Sequence, residues 1–310
     1  MSASVSPPDG RVGRGASRSS VEPMNVWFGQ RWASRMAPVT PSCWLSLTTH
    51  WRGRWRGLSL TSTGIQCGKT QFLLRSYWTA RAFSVHAVNG DLLIVDDLPG
   101  IFAEQVIDAF RGRSDDEFCM ALSGGQTARA CYERLAQVGS ELIDWWAVTI
   151  FWGDECCVGP DDPHSNERLV RQALLERIGA AHAVYPMRCE EGPEPYQLRL
   201  GEIGKLDLIH LGVGPDGHTA SLFPNSPGLD ADPGQLVTFN EDPSGRNKHR
   251  RMTLTYGAIS RARLVLFTVA GAEKRPAMQA IVDGADLPAA RVRAERVLWL
   301  VDREAAPHGV

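Results

Sequence analysis

An α/β fold, with a mostly parallel sheet covered by helices on both faces and an irregular N-terminal extension before it, is predicted by this 310-residue chain. Three observations predict it. From Asp91 onward, short apolar runs alternate with amphipathic stretches at the spacing of βαβ units. A parallel sheet with helical crossovers is the simplest way to bury them. The first 86 residues, by contrast, show neither helical nor alternating periodicity.

The extension is set at residues 1–87 and the regular domain at residues 88–310. Residues 1–86 hold eleven Lys or Arg and two acids, Asp9 and Glu22, together with six of the ten tryptophans. That leaves 22 of the 33 basic and 33 of the 35 acidic residues in the remainder, so the regular part is acidic. Three origins fit the extension: an organellar transit peptide, a basic nucleic-acid arm, or translated upstream sequence foreign to the natural protein. The third is favoured, because no Met lies between Met36 and Met120 while Val88, just before the first strand, suits an alternative start.

The expected strands are Leu92 to Val95, Phe118 to Leu122, Val148 to Trp152, Leu206 to Leu211, Leu264 to Val269 and Val297 to Val301. Helical patterns run from Ile101 to Phe110, Thr127 to Ala136, Asn166 to Arg177 and Glu273 to Val282. A hydrophobic content of 43% supports a sizeable core. No uncharged apolar run reaches the roughly 18 residues of a membrane span, and no secretory signal is present, so a soluble cytoplasmic protein is expected. The seven cysteines include no C-x-x-C pair and suggest neither a zinc site nor a disulfide framework; adjacent Cys156 and Cys157 rarely bridge.

Ligands of such sheets sit beyond the carboxyl ends of the strands, and four segments there carry chemistry. Ser123-Gly124-Gly125 follows a strand and opens a helix, where free N–H groups favour an anion. Asp154, in Trp152-Gly153-Asp154-Glu155, can orient a hydroxyl or a water, whereas Asp161 and Asp162 suit a turn and Ser165 a helix cap. Asp216 and His218 stand on the loop Gly214-Pro215-Asp216-Gly217-His218-Thr219, and an imidazole titrating near 6.5 in free solution suits a general base. Arg251 and Lys274 offer cations to phosphate oxygens.

Together these segments resemble the 6-phosphogluconolactonases in order and spacing from about Gly90 to Ala306. The run Gly-Pro-Asp-Gly-His-Thr-Ala-Ser-Leu-Phe-Pro is highly specific, and Leu-Ser-Gly-Gly, Trp-Gly-Asp-Glu, Ser-Asn and Arg-x-Thr-Leu-Thr add support. The resemblance implies a doubly wound α/β fold related to glucosamine-6-phosphate deaminases, and hydrolysis of 6-phosphogluconolactone to 6-phosphogluconate in the oxidative pentose phosphate route. It implies no cofactor and no metal. His218 would be the general base, with Asp216 and Asp154 shaping the site. Ser123, Gly124 and Gly125 would lie against the substrate, and Arg251 and Lys274 would hold its phosphate. Three departures stand out. Cys156 follows Glu155 where the family usually has Arg, so Arg171 or Arg168 is expected to compensate. Gln126 and Ala128 replace the usual Ser or Thr and Pro, and the stretch from Arg188 to Leu206 is short.

Two other functions compete: a non-catalytic sugar-phosphate binder, and an amino-sugar-phosphate deaminase or isomerase, against which the Ala220-Ser221-Leu222-Phe223-Pro224 continuation argues. The expected partner is a small sugar-phosphate lactone, with neither nucleic acid nor membrane, and the chain is expected to be a monomer or weak homo-oligomer.

Overall fold

The computed structural model describes Arg81–Phe83 and residues 88–309. Apart from Arg81–Phe83, the expected extension and its three possible origins lie outside the described residues. Those three residues form β1, which pairs antiparallel with β2, Asp91–Val95, so strand pairing begins ahead of residue 88.

The elements then follow as α1 (Leu98–Arg111), β3 (Phe118–Leu122), α2 (Gln126–Gly139), β4 (Val148–Trp152), β5 (Asp154–Cys156), α3 (Asn166–Val170) and α4 (Glu176–Ile178). After them come β6 (Ala183–Val184), α5 (Pro193–Ile203), β7 (Leu208–Gly212), β8 (Val237–Asn240), β9 (Arg251–Leu254), α6 (Tyr256–Ile259), β10 (Leu264–Val269), α7 (Arg275–Val282) and β11 (Arg296–Asp302). All six expected strands are present, three of them with the expected bounds. The Asn166-to-Arg177 helix is present but broken by a π turn at Arg171–Leu175 between α3 and α4.

The main sheet has the order β1-β2-β11-β10-β7-β3-β4-β6, and every pair except β1 with β2 is parallel. Strands β3, β4 and β10 are buried at every position, as a sheet covered on both faces requires. From β3 the chain winds outward through β4 to β6; it then returns to β7 and winds the other way through β10 to β11. The reversal between β3 and β7 opens a crevice at their carboxyl ends, the place where doubly wound sheets bind ligands.

A second sheet, β5-β9-β8, is antiparallel and was not foreseen. Gly153 joins the two sheets: its N–H donates to the Leu122 carbonyl at 2.7 Å and its own carbonyl accepts from Leu254 at 2.8 Å. Among the described residues, no helix is long and apolar enough to cross a membrane.

One correction concerns the cysteines. Cys157 is joined to Cys189 in a disulfide, with Cα atoms 5.3 Å apart across a sequence separation of 32. Adjacency does keep Cys156 and Cys157 from bridging each other, but the fold brings a distant partner to Cys157. Cys119, Cys131 and Cys156 are free and buried.

Candidate active site

The turn after β3 is shaped by what its glycines permit. Gly125 adopts φ +99°, a conformation that L side chains rarely take, and a Cβ on Gly124 would fall 1.7 Å from Asn166 Oδ1. Gly125 is the N-cap of α2 and supplies no side-chain cap, so the first N–H groups of a 14-residue helix remain available to an anion.

After β4, alternation decides which acids face the cavity. Asp154 and Cys156 share one face of β5, and Glu155 points the other way. Glu155 accepts N–H bonds from Cys156, Asn166 and Glu167 at 2.8, 2.8 and 2.7 Å, which ties β5 to the start of α3. Burial pushes its carboxyl up to about 7 against the pull of those donors. Ser165 caps α3 as expected, accepting from Arg168 N at 3.1 Å. Asp154 is 4% exposed and accepts from Ser221 Oγ at 2.6 Å and from Asn166 Nδ2 at 3.3 Å, with Arg251 at 3.6 Å. It thereby links three separate segments of the site.

The register of β5 with β9 sets Arg251 opposite Cys156. Arg251 holds its protein partners loosely, Asp154 at 3.6 Å and Asn247 Oδ1 at 3.4 Å, and its buried Nε has no hydrogen-bond partner among the described residues. Donor capacity of this kind suits an incoming oxyanion. Burial pushes the Cys156 thiol up to about 11, so it is a neutral group and not a nucleophile.

The loop after β7 presents the imidazole. Gly217 takes φ +81° and donates to the Gly214 carbonyl at 2.9 Å, while Gly214 N donates to the His218 carbonyl at 2.8 Å, closing a tight turn. His218 Nδ1 lies 2.6 Å from Asp216 Oδ1, which also accepts the His218 backbone N–H at 3.1 Å. Burial opposes ionisation of Asp216, but the hydrogen bonds and charge of His218 outweigh it and hold the carboxyl below its ordinary value. The ring leans on Phe223, with centroids 4.9 Å apart. Ala220, two residues on, sits at φ +46°, a strained conformation for a side-chain-bearing residue.

One cavity of about 360 Å³ is lined by Ser123, Gly124, Gly125, Asp154, His218, Arg251 and Lys274. Seven of the nine expected residues thus meet there. Asp216 stands behind His218. Arg171 is not among the residues lining this cavity: it pairs with Asp161 and reaches Glu176 at 3.9 Å. Arg168 lines an adjoining cavity with Arg129 and Gln172. Asn166 and Ser221 had no expected role, although Ser-Asn and Thr-Ala-Ser lie within the segments singled out. Ser221 reaches Asp154 from a segment 67 residues away, whereas Asn166, at the start of α3, bonds to Asp154 across a sequence separation of 12.

A family model described as "Glucosamine-6-phosphate isomerases/6-phosphogluconolactonase" matches residues 94–299. The 6-phosphogluconolactonase of Synechocystis sp. is 36% identical over 205 residues, covering 60% of this chain and 82% of that protein. The 6-phosphogluconolactonase of Mycobacterium tuberculosis is 34% identical over 208 residues, covering 60% and 83% respectively. A crystal structure of 6-phosphogluconolactonase from Thermotoga maritima has a TM-score of 0.61 at 32% identity, covering 68% of this chain and 98% of that one. On the match of sequence and fold, the chain belongs to the glucosamine-6-phosphate isomerase/6-phosphogluconolactonase family.

Proposed function

We propose that this chain hydrolyses 6-phosphoglucono-1,5-lactone to 6-phosphogluconate by direct attack of water, with His218 as general base. The observation that carries this reading is the 2.6 Å His218–Asp216 contact beside a cavity that also holds the glycine turn, Arg251 and Lys274. Family membership supports the same substrate class, since the relatives named above are 6-phosphogluconolactonases.

The chemistry follows from what each group can donate or accept. Ionised Asp216 accepts a hydrogen bond from His218 Nδ1–H, which leaves Nε2 with a free lone pair. Nε2 takes a proton from water as the oxygen attacks the lactone carbonyl carbon. Charge then collects on the carbonyl oxygen, where backbone N–H groups lining the cavity can meet it. When the ring C–O bond breaks, the departing ring oxygen receives the proton held on His218, and the product is a carboxylic acid that ionises in solution. A lactone is already an activated ester, so one positioned base, worth roughly 10²–10⁴ in rate, suffices without a covalent intermediate. Arg251 and Lys274 hold the phosphate, and that remote binding keeps the carbonyl against the water and the base. Asp154 shapes the cavity by holding Ser221, Asn166 and Arg251 together.

Arg251→Ala is expected to raise the KM for the phosphorylated lactone by about 10- to 100-fold, the worth of a charge-assisted hydrogen bond of about 1.5–3 kcal/mol. Turnover at saturation should change far less. Initial rates with 6-phosphogluconolactone and with unphosphorylated gluconolactone check this. A loss equal for both substrates removes Arg251 from the phosphate.

A further inference from the structure

Behind the glycine turn lie three buried side chains that the chemistry above does not use. They are Tyr132 on α2, His210 on β7 and Thr268 on β10, exposed by 0, 0 and 3%. Tyr132 Oη accepts the Ser123 N–H at 2.8 Å and lies 2.9 Å from the Ser123 carbonyl oxygen and 2.7 Å from His210 Nδ1. His210 Nε2 is 2.8 Å from Thr268 Oγ1, and Ser123 Oγ donates to the His210 carbonyl at 2.6 Å.

Counting protons fixes the direction of this chain. A phenol has one proton to give and two lone pairs to receive. If Tyr132 gave its proton to His210, the Ser123 carbonyl would lose its phenol donor. All the contacts are met when His210 Nδ1–H donates to Tyr132, Tyr132 donates to the Ser123 carbonyl, and Thr268 donates to His210 Nε2. Burial drives the His210 pKa down to about 3, so the ring carries the single proton that this arrangement needs.

The turn depends on such support. Two consecutive glycines carry a high entropy cost of ordering, and no side chain caps α2. The turn also borders a second cavity, of about 290 Å³, and a Cβ on Gly125 would meet nothing within 4 Å. Both backbone polar groups of Ser123 instead end on one phenol, which His210 and Thr268 orient from neighbouring strands.

We infer that Tyr132 and His210 are positioning residues: through Ser123 they aim the N–H groups of the Gly124-Gly125 turn at the bound sugar phosphate. This inference rests on the lactonase reading for the identity of the ligand. It predicts a defect in binding, whereas a purely structural role would lower stability and active fraction while leaving KM unchanged.

The test uses the full chain, with steady-state rates on the phosphorylated lactone, calorimetric binding of 6-phosphogluconate, and thermal melts. Tyr132→Phe and His210→Leu are expected to raise KM and weaken product binding about tenfold, with kcat within about threefold of the parent. His210→Asn places an amide N–H near the former Nδ1 and keeps the donor to Tyr132. It is therefore expected to bind almost as the parent does, even with a lowered Tm. Unchanged binding in Tyr132→Phe and His210→Leu overturns the inference, as does an equal loss in His210→Asn and His210→Leu. If the parent fails to hydrolyse the lactone but product binding follows the expected pattern, the proposed activity falls and the positioning role stands.

Discussion

His218→Ala is expected to lower kcat for lactone hydrolysis by about 10²–10⁴-fold, the usual worth of a positioned general base. Affinity for 6-phosphogluconate should stay within about threefold, because the proposed anchors of the anion are Arg251, Lys274 and the glycine turn and not the imidazole. The geometry makes the asymmetry strong. His218 makes its polar side-chain contact with Asp216, and its ring otherwise leans on Phe223. Removing the ring takes away the proposed proton acceptor and leaves Arg251, Lys274 and the glycine turn in place. Stopped-flow rates paired with calorimetry separate the two quantities, and equal losses in turnover and binding would show that the imidazole serves as a substrate clamp instead.

Gly214→Ala should be nearly as damaging without touching a reacting group. An added Cβ would lie 2.0 Å from His218 Nδ1 and 2.1 Å from Cε1, far inside contact distance, so the ring must move. Movement of the ring to clear the methyl is expected to break its 2.6 Å contact with Asp216 and to displace Nε2. Misplacement of about 1 Å can cost a factor of about 10² in rate, and a kcat loss of about that size is expected. The fold should melt close to the parent temperature, since the ring is free to shift into the cavity. Gly201→Ala is the matching control: its Cβ meets nothing within 4 Å, and it lies on α5, which contributes no lining residue to the site. Its kcat should equal that of the parent.

Much of this arrangement was legible in the chain because the decisive signals are local. The turn at Ser123-Gly124-Gly125 and the Asp216–His218 loop each follow a strand buried along almost its whole length, and a parallel sheet fixes what stands at strand ends. The bounds of β3, β4 and β10 could be read from their apolar runs for the same reason. Strand β7 begins two residues later than expected, at Leu208, just after Asp207, whose side chain accepts the Cys119 N–H at 2.9 Å and meets Arg263 at 3.3 Å. What escaped is mainly non-local. Strands β5, β8 and β9 are three or four residues long, and β5 acquires its meaning by pairing with β9 across about a hundred residues. The bridge from Cys157 to Cys189 depends on the same folding. Arg171 has an attractive charge and spacing, but side-chain pairing with Asp161 cannot be seen in spacing alone. His210 lies inside an apolar run, and its partners Tyr132 and Thr268 lie 78 and 58 residues away.

The most direct measurement is the decay of freshly generated 6-phosphogluconolactone, followed with and without the full chain at neutral pH. The expected result is a loss of lactone faster than its spontaneous opening, in proportion to protein concentration, with 6-phosphogluconate accumulating in step. Decay at the spontaneous rate, from a protein that still binds 6-phosphogluconate, would contradict the catalytic role of His218 and leave a sugar-phosphate binder in its place.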